Sequence, residues 1–150
     1  MITKATEKDI QTIQNVAKES WNSAYTNILE QKQLDYMLDL MYSQETLKTH
    51  FENPNYQYYL IQEDEVFLGF IGFEFHKEPE TTKLHRIYFL KEAQGKGLGK
   101  KALEFVKYYS VTNHFKVVLL EIENHNERAK KLYEHYGFQN HKRSLMILKN

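Results

Sequence analysis

The sequence contains no cysteine, only two prolines, and no long apolar run. Without cysteine, the chain can form neither disulfides nor thiolate metal sites, and a covalent relay through a thiol is excluded. No run approaches the roughly 18 apolar residues that cross a membrane, and Met1–Ala5 lacks the apolar core of a signal peptide. We therefore expect no membrane partner and, by default, a cytoplasmic protein.

The chain also lacks an excess of either charge. Lysine and arginine together number 20 and aspartate and glutamate 20, so the formal net charge is zero. This balance predicts no general attraction to nucleic acid. The 150 residues contain no repeat, low-complexity segment or linker, which predicts a single domain over residues 1–150. The seven histidines show no His-x-x-x-His pairing, so we expect no metal.

The most informative segment that is present is the glycine-rich run QGKGLGK, whose members are Gln94, Gly95, Lys96, Gly97, Leu98, Gly99 and Lys100. Glycines at alternate positions allow the backbone to turn with positive φ and to approach a ligand closely. A helix beginning at Leu98 or Gly99 would add unpaired amides and the positive end of its dipole. The run therefore predicts a phosphate or pyrophosphate site, with charge added by Lys96 and Lys100. A glycine-rich turn without a ligand is the alternative.

The residues around this run predict an α/β protein. Strands are expected at Ile2–Ala5, Tyr56–Ile61, Val66–Phe75, Leu84–Leu90, Val117–Ile122 and Ser144–Leu148. Helical spacing of apolar residues follows Thr6, a candidate cap, and recurs at Leu34–Met41, at Leu47–Phe51 and after the glycine run. A further helix runs up to Gly137, which is well placed to end it. A mixed sheet flanked by helices is the expected architecture.

Two motifs resemble those of one family. QGKGLGK is similar to the Gln/Arg-x-x-Gly-x-Gly/Ala loop of the GNAT superfamily of acyl-CoA-dependent N-acyltransferases. The superfamily's Asn-x-x-Ala-x-x-x-Tyr-x-x-x-Gly-Phe motif is matched in order by Asn126, Ala129, Tyr133, Gly137 and Phe138. The resemblance covers residues 56–150 well and residues 1–55 only in general layout. It implies a mostly antiparallel sheet with a central splay and helices on both faces.

The resemblance also implies the roles of particular residues toward acetyl-CoA. Residues 94–100 would hold the pyrophosphate, and backbone groups of Ile87, Tyr88 and Phe89 would bind the pantetheine arm as a false strand. Asn126 would lie near that arm, or would simply cap the following helix. Tyr133 is the candidate general acid for the departing thiolate, with packing in the core as its alternative role.

The general base is where the sequence departs from the pattern. Many members of this superfamily carry a glutamate on the strand before the loop, whereas His85 occupies that neighbourhood here. An ordinary histidine pKa of ~6.5 suits proton transfer at neutral pH. A solvated or core histidine is the alternative, and Glu74 on the adjoining strand is the other candidate base. Strand alternation predicts His85, Ile87 and Phe89 on one face and Arg86 with Tyr88 on the other.

The function implied by the resemblance is transfer of an acetyl group from acetyl-CoA to a primary amine, by direct attack in a ternary complex. A small-molecule acceptor, either a polyamine or an amino-acid-like amine, is favoured over a protein N-terminus, and homodimer formation is left open. Two alternatives remain at this point. One is a catalytically weak acyl-CoA-binding sensor, and the other is an acyltransferase that uses another acyl group.

Overall fold

The computed structural model describes residues 1–76, 78–122, 127–142 and 145–150. Its strands are β1 Ile2–Lys4, β2 Tyr56–Glu63, β3 Val66–Phe75, β4 Thr81–Phe89, β5 Val117–Glu121, β6 Gln139–Lys142 and β7 Leu145–Lys149. Its α-helices are α1 Ile10–Tyr25, α2 Gln31–Tyr42, α3 Gln44–Glu52, α4 Leu98–Thr112 and α5 Glu127–His135. Short 3-10 turns at Glu7–Asp9 and Lys91–Ala93 precede α1 and the glycine-rich run.

The strands form one sheet in the order β1-β2-β3-β4-β5-β7-β6. β4 and β5 are parallel, whereas β1–β2, β5–β7 and β6–β7 are antiparallel pairs. The parallel pairing of β4 with β5 runs from Thr81–Val117 to Leu84–Leu120, while β4 itself continues to Phe89. A mixed, mostly antiparallel sheet whose central pairing stops early agrees with the predicted fold class.

The chain divides into two compact units, and β3 and β4 each contribute residues to both of them. The first comprises Met1–Gly72 with Arg86–Leu98, and the second comprises Phe73–His85 with Gly99–Asn150. None of the helices in the described residues is long and apolar enough to cross a membrane.

The first unit is built on helices whose apolar faces cover β2, β3 and the end of β4. Thr6 and Asp9 form a capping box at the 3-10 turn that leads into α1, as the sequence predicts. The buried residues of α1 follow at helical spacing, with Ile13 and Ala17 fully buried. They pack in one core with residues from α2, α3 and the strands, including Leu34, Leu38, Leu47, Tyr58 and Phe70.

The second unit has α4 as its main apolar helix. Ala102 and Val106 are buried on α4 at the helical spacing that the sequence predicts, and Leu103 is buried beside them. Two buried hydroxyls join β4 to this helix, since Thr82 Oγ1 lies 3.0 Å from Ser110 Oγ. This pairing satisfies two polar groups that would otherwise be costly in the interior.

Three sequence predictions need correction. The sequence pattern does not predict β6, because its residues Gln139, Asn140 and His141 are polar and exposed at the sheet edge and show no apolar alternation. β4 begins at Thr81, three residues before the expected start. Helical spacing predicts Leu132 on one face with Tyr133, but Leu132 is 46% exposed.

Candidate active site

The glycine-rich run adopts the backbone geometry that an anion-binding loop requires. Gly95 has φ +79° and Gly97 has φ +70°, a region that residues with a side chain rarely adopt. A Cβ added at either position would meet nothing within 4 Å, so the φ angle and not crowding demands glycine there. α4 begins at Leu98, directly after these turns. The exposed loop therefore leads into a helix N-terminus, which fits a pyrophosphate group.

The lysines of the glycine-rich run are engaged in ion pairs, so they offer a ligand less unpaired positive charge than the sequence suggests. Lys96 Nζ lies 3.0 Å from Glu63 Oε1, and Lys100 Nζ lies 4.0 Å from Glu104 Oε1. Each of these four side chains is at least 40% exposed, so the ion pairs are screened by water and exchange easily. The backbone amides and the helix dipole would thus be the fixed part of an anion site here.

The end of β4 carries the residues predicted to bind the pantetheine arm. The Tyr88 ring packs in the core of the first unit, with its centroid 5.7 Å from Trp21 and 5.8 Å from Phe70. Gly69 of β3 lies against the end of β4, because an added Cβ there would lie 2.5 Å from the Tyr88 carbonyl oxygen. Gly69 therefore permits close strand approach, a role that sequence reasoning missed. A glycine within an apolar strand is the signal that could have indicated it.

Tyr133 occupies a defined position at the end of α5. The Phe138 N–H donates to the Tyr133 carbonyl at 3.0 Å, and the Gly137 N–H donates to the Glu134 carbonyl at 3.0 Å. Together with φ +100° at Gly137, these bonds form a Schellman motif. The Tyr133 and Phe138 rings, 5.7 Å apart, supply its apolar contact. The helix end thus accounts for the Tyr-x-x-x-Gly-Phe spacing. The Tyr133 hydroxyl is the part of this residue that the helix end does not require.

That hydroxyl is a proton donor at neutral pH. Burial raises the pKa of Tyr133 to about 12 from the usual 10. The phenol therefore keeps its proton throughout the physiological range. A group of this kind can donate a proton or hydrogen bond to a leaving group, but it cannot act as a base at neutral pH.

The two candidate bases lie together. His85 Nε2 is 2.9 Å from Glu74 Oε1, and the side chains are only 21% and 15% exposed. An ionised carboxylate can only accept hydrogen bonds, so the imidazole donates its Nε2–H to Glu74. This fixes the tautomer of a neutral His85, with the lone pair on Nδ1. Sequence reasoning treated these residues as alternatives, whereas the structure makes them one pair.

Of the remaining predicted residues, Arg86 and Tyr88 lie in the first unit, and Asn126 is not among the described residues. Arg86 and Tyr88 both pack on the aromatic core of the first unit, in agreement with the predicted strand alternation. In the part of the chain that the structure describes, no three His, Asp or Glu side chains group as metal ligands would.

Comparison with known proteins identifies the class of protein that this fold and loop define. The family model described as Acetyltransferase (GNAT) family matches residues 13–138. The chain therefore belongs to the GNAT acetyltransferase family, whose named relatives are N-acetyltransferases.

One curated relative supports this assignment, and two solved structures share the fold. YhfO of Bacillus subtilis (strain 168), an uncharacterized N-acetyltransferase, is 30% identical over 107 residues, which cover 67% of this chain and 70% of YhfO. The PaiA N-acetyltransferase of Thermoplasma acidophilum, solved with coenzyme A, has a TM-score of 0.88 at 23% identity and covers 100% and 98% of the two chains. A variant of the spermidine N-acetyltransferase SpeG of Vibrio cholerae has a TM-score of 0.70 at 17% identity, with 99% and 92% coverage.

Proposed function

We propose that this protein transfers an acetyl group from acetyl-CoA to the primary amine of a small molecule, by direct attack in a ternary complex. The observation that carries the proposal is the loop of Gly95 and Gly97, which leads with positive φ angles into the N-terminus of α4. That geometry fits the pyrophosphate of a coenzyme A derivative. Membership of the GNAT family and the coenzyme A bound to PaiA support the same ligand.

Backbone groups of the first unit would hold the rest of the cofactor. The parallel pairing with β5 runs from Thr81 to Leu84, while β4 continues to Phe89. The amides of a pantetheine arm would pair as a false strand with the backbone of β4 beyond that point, at Ile87, Tyr88 and Phe89. When bound, acetyl-CoA supplies an activated thioester carbonyl, and the protein has only to place an amine against it.

Two side chains of the second unit would transfer protons, one as the general base and one as the general acid. An ammonium group has no lone pair, so the acceptor must first lose a proton, which His85 would take at Nδ1 while Glu74 stabilises the resulting imidazolium. Tyr133 holds a proton at its hydroxyl for the departing sulfur, because burial keeps that phenol neutral. Since the chain has no cysteine, transfer through an acyl-thiol enzyme is excluded, and direct attack is the simplest route.

The experiment that tests this function is release of free coenzyme A thiol from acetyl-CoA. The panel should contain polyamines, amino acids, aminoglycosides and peptide N-termini, each with a no-amine control. The proposal predicts thiol release that depends on at least one small amine and is strongly reduced in Tyr133→Phe. Binding of acetyl-CoA without amine-dependent release would instead indicate the sensor alternative.

A further inference from the structure

The first unit contains a buried positive charge that no described acidic side chain neutralises. Arg86 is only 9% exposed, and its side chain forms no ion pair with any described residue. A guanidinium has five N–H donors. The described residues provide one hydrogen bond, from Arg86 Nη1 to the Tyr58 hydroxyl at 2.8 Å, and one ring contact, with Cζ lying 4.4 Å from the Tyr42 centroid.

The contact with Tyr58 fixes one side of this guanidinium. Because Arg86 can only donate, the Tyr58 oxygen accepts its N–H. The Tyr58 oxygen also lies 2.9 Å from His50 Nδ1, so the hydroxyl lies between the guanidinium and the imidazole. Gly72 makes room for this arrangement, since a Cβ there would lie 3.0 Å from the Tyr58 ring. The arrangement orients the guanidinium but supplies no negative charge.

Two further donors near Arg86 are buried without acceptors. Trp21 Nε1 and the Tyr42 hydroxyl have no hydrogen-bond partner in the part of the chain that the structure describes. Their residues are 4% and 3% exposed, and the two rings meet edge to face with centroids 6.0 Å apart. Burial raises the pKa of Tyr42 far above its usual value, so this hydroxyl keeps its proton. Buried donors of this kind cost free energy unless something accepts from them.

These groups share one chemical requirement. A guanidinium, an indole N–H and a phenol O–H can each donate to an anion, and the positive charge of Arg86 disfavours an ammonium group nearby. A carboxylate has two oxygens with about four acceptor positions, and its charge would balance that of Arg86. A polyamine would add positive charge to a positive site.

We propose that Trp21, Tyr42 and Arg86 form a binding site for the carboxylate of the acceptor, which makes the acceptor an amino-acid-like amine and not a polyamine. We call these three residues the Arg86 site. Its assignment to the acceptor rests on the proposed acetyltransferase function, whereas binding of a carboxylate at the site does not. The spermidine specificity in the name of SpeG thus does not transfer to this chain.

The kinetic test uses ω-amino acids of increasing chain length, each compared with the alkylamine of the same length that lacks the carboxyl group. We expect the best amino acid to exceed its alkylamine in kcat/KM by at least about tenfold, as charge-assisted hydrogen bonds allow. Tyr42→Phe and Arg86→Lys should reduce that ratio by about tenfold, mainly through the KM of the amino acid. Tyr36→Phe is the matched control, because Tyr36 lies on the same helix and is 68% exposed.

A binding test removes the dependence on catalysis. The amino acids should raise the melting temperature of the wild-type protein and of Tyr36→Phe, but not that of Tyr42→Phe. Ligand-free Tyr42→Phe should be at least as stable as wild type, since it loses only a hydroxyl that lacks a protein acceptor. A destabilised Tyr42→Phe together with no response to carboxylates would indicate an internal water in this place and would overturn the proposal.

The outcomes separate the two proposals. Acetylation of amines with no preference for a carboxylate, or with a preference that Tyr42→Phe and Arg86→Lys leave intact, contradicts the Arg86 site and leaves the acetyltransferase function standing. Tyr42-dependent binding of carboxylates without acetylation of any amine supports the site as a carboxylate site and contradicts the proposed function.

Discussion

His85 Nε2 lies 2.9 Å from Glu74 Oε1, and this hydrogen bond joins a side chain of β4 to one of β3. A carboxylate that accepts from one imidazole nitrogen directs the lone pair of the neutral ring to the other nitrogen. It also stabilises the ring after that nitrogen has taken a proton. The pair is therefore suited to remove a proton from an ammonium group.

The first prediction concerns this pair. His85→Ala should lower kcat by about 10²–10⁴ and remove the rise of activity with pH that accompanies deprotonation of the base. The loss should be greatest at low pH, where an acceptor amine with a pKa near ~10 is almost wholly protonated. His85→Glu should restore part of the rate. The measurement is the pH dependence of kcat and kcat/KM, and an unchanged profile in His85→Ala would assign the base elsewhere.

Glu74→Gln tests the role of the carboxylate in the same pair. An amide can donate as well as accept, so the tautomer of His85 is no longer fixed. We expect a fall in kcat of more than about tenfold, with the affinity for acetyl-CoA unchanged. Lys83→Met is the matched control, since Lys83 lies on the same strand as His85 and forms an ion pair with Glu121, at 3.0 Å. Equal activities of Glu74→Gln and Lys83→Met would contradict a role for the carboxylate.

The glycine-rich run allows a charge test that is independent of backbone strain. Gly99 lies in the first turn of α4 without a positive φ, and a Cβ there would meet nothing within 4 Å. Gly99→Asp should therefore fold, and its carboxylate should stabilise the helix N-terminus while it repels a pyrophosphate. We expect calorimetry to show loss of acetyl-CoA binding in Gly99→Asp and retention in Gly99→Ala. Unchanged affinity in the folded Asp variant would refute the pyrophosphate site.

Tyr133→Phe separates the chemistry of this residue from its packing. The phenylalanine ring would keep the contact with Phe138 that accompanies the Schellman motif, so stability at neutral pH should change little. If the hydroxyl protonates the departing thiolate, kcat should fall by about 10²–10⁴ with acetyl-CoA affinity nearly unchanged. Tyr136→Phe, one turn away on the same segment, is the control. Activity within a few-fold of wild type would leave Tyr133 with its structural role alone.

The raised pKa of Tyr133 also predicts the alkaline stability of the protein. Above a pH of about 10 the unfolded chain loses the Tyr133 proton while the folded protein holds it until about 12. The contribution of Tyr133 to the free energy of unfolding should therefore be fully present below about pH 10 and be lost as the pH rises toward 12. Urea unfolding across this range should show a shallower fall for Tyr133→Phe. Parallel curves for the two proteins would contradict a buried phenol.

Local patterns account for what the sequence predicts correctly. The glycine spacing at Gly95 and Gly97 determines the loop geometry within a few residues, and the helix end at Gly137 is equally local. The pairing of His85 with Glu74 could not be predicted, because it depends on the register of β3 against β4, which the connection between them decides. The isolation of Arg86 from described carboxylates depends on α1, α2 and β2 together, and no spacing in the sequence encodes it.

The most direct test of the account is a transfer assay with trideuteroacetyl-CoA, read by mass spectrometry of both the amine and the protein. The account predicts that an amino-acid-like amine gains the trideuteroacetyl group in step with thiol release, while the protein stays unlabelled. Hydrolysis to free acetate, label retained on the protein, or no amine-dependent transfer would contradict direct acetylation of an amine by this protein.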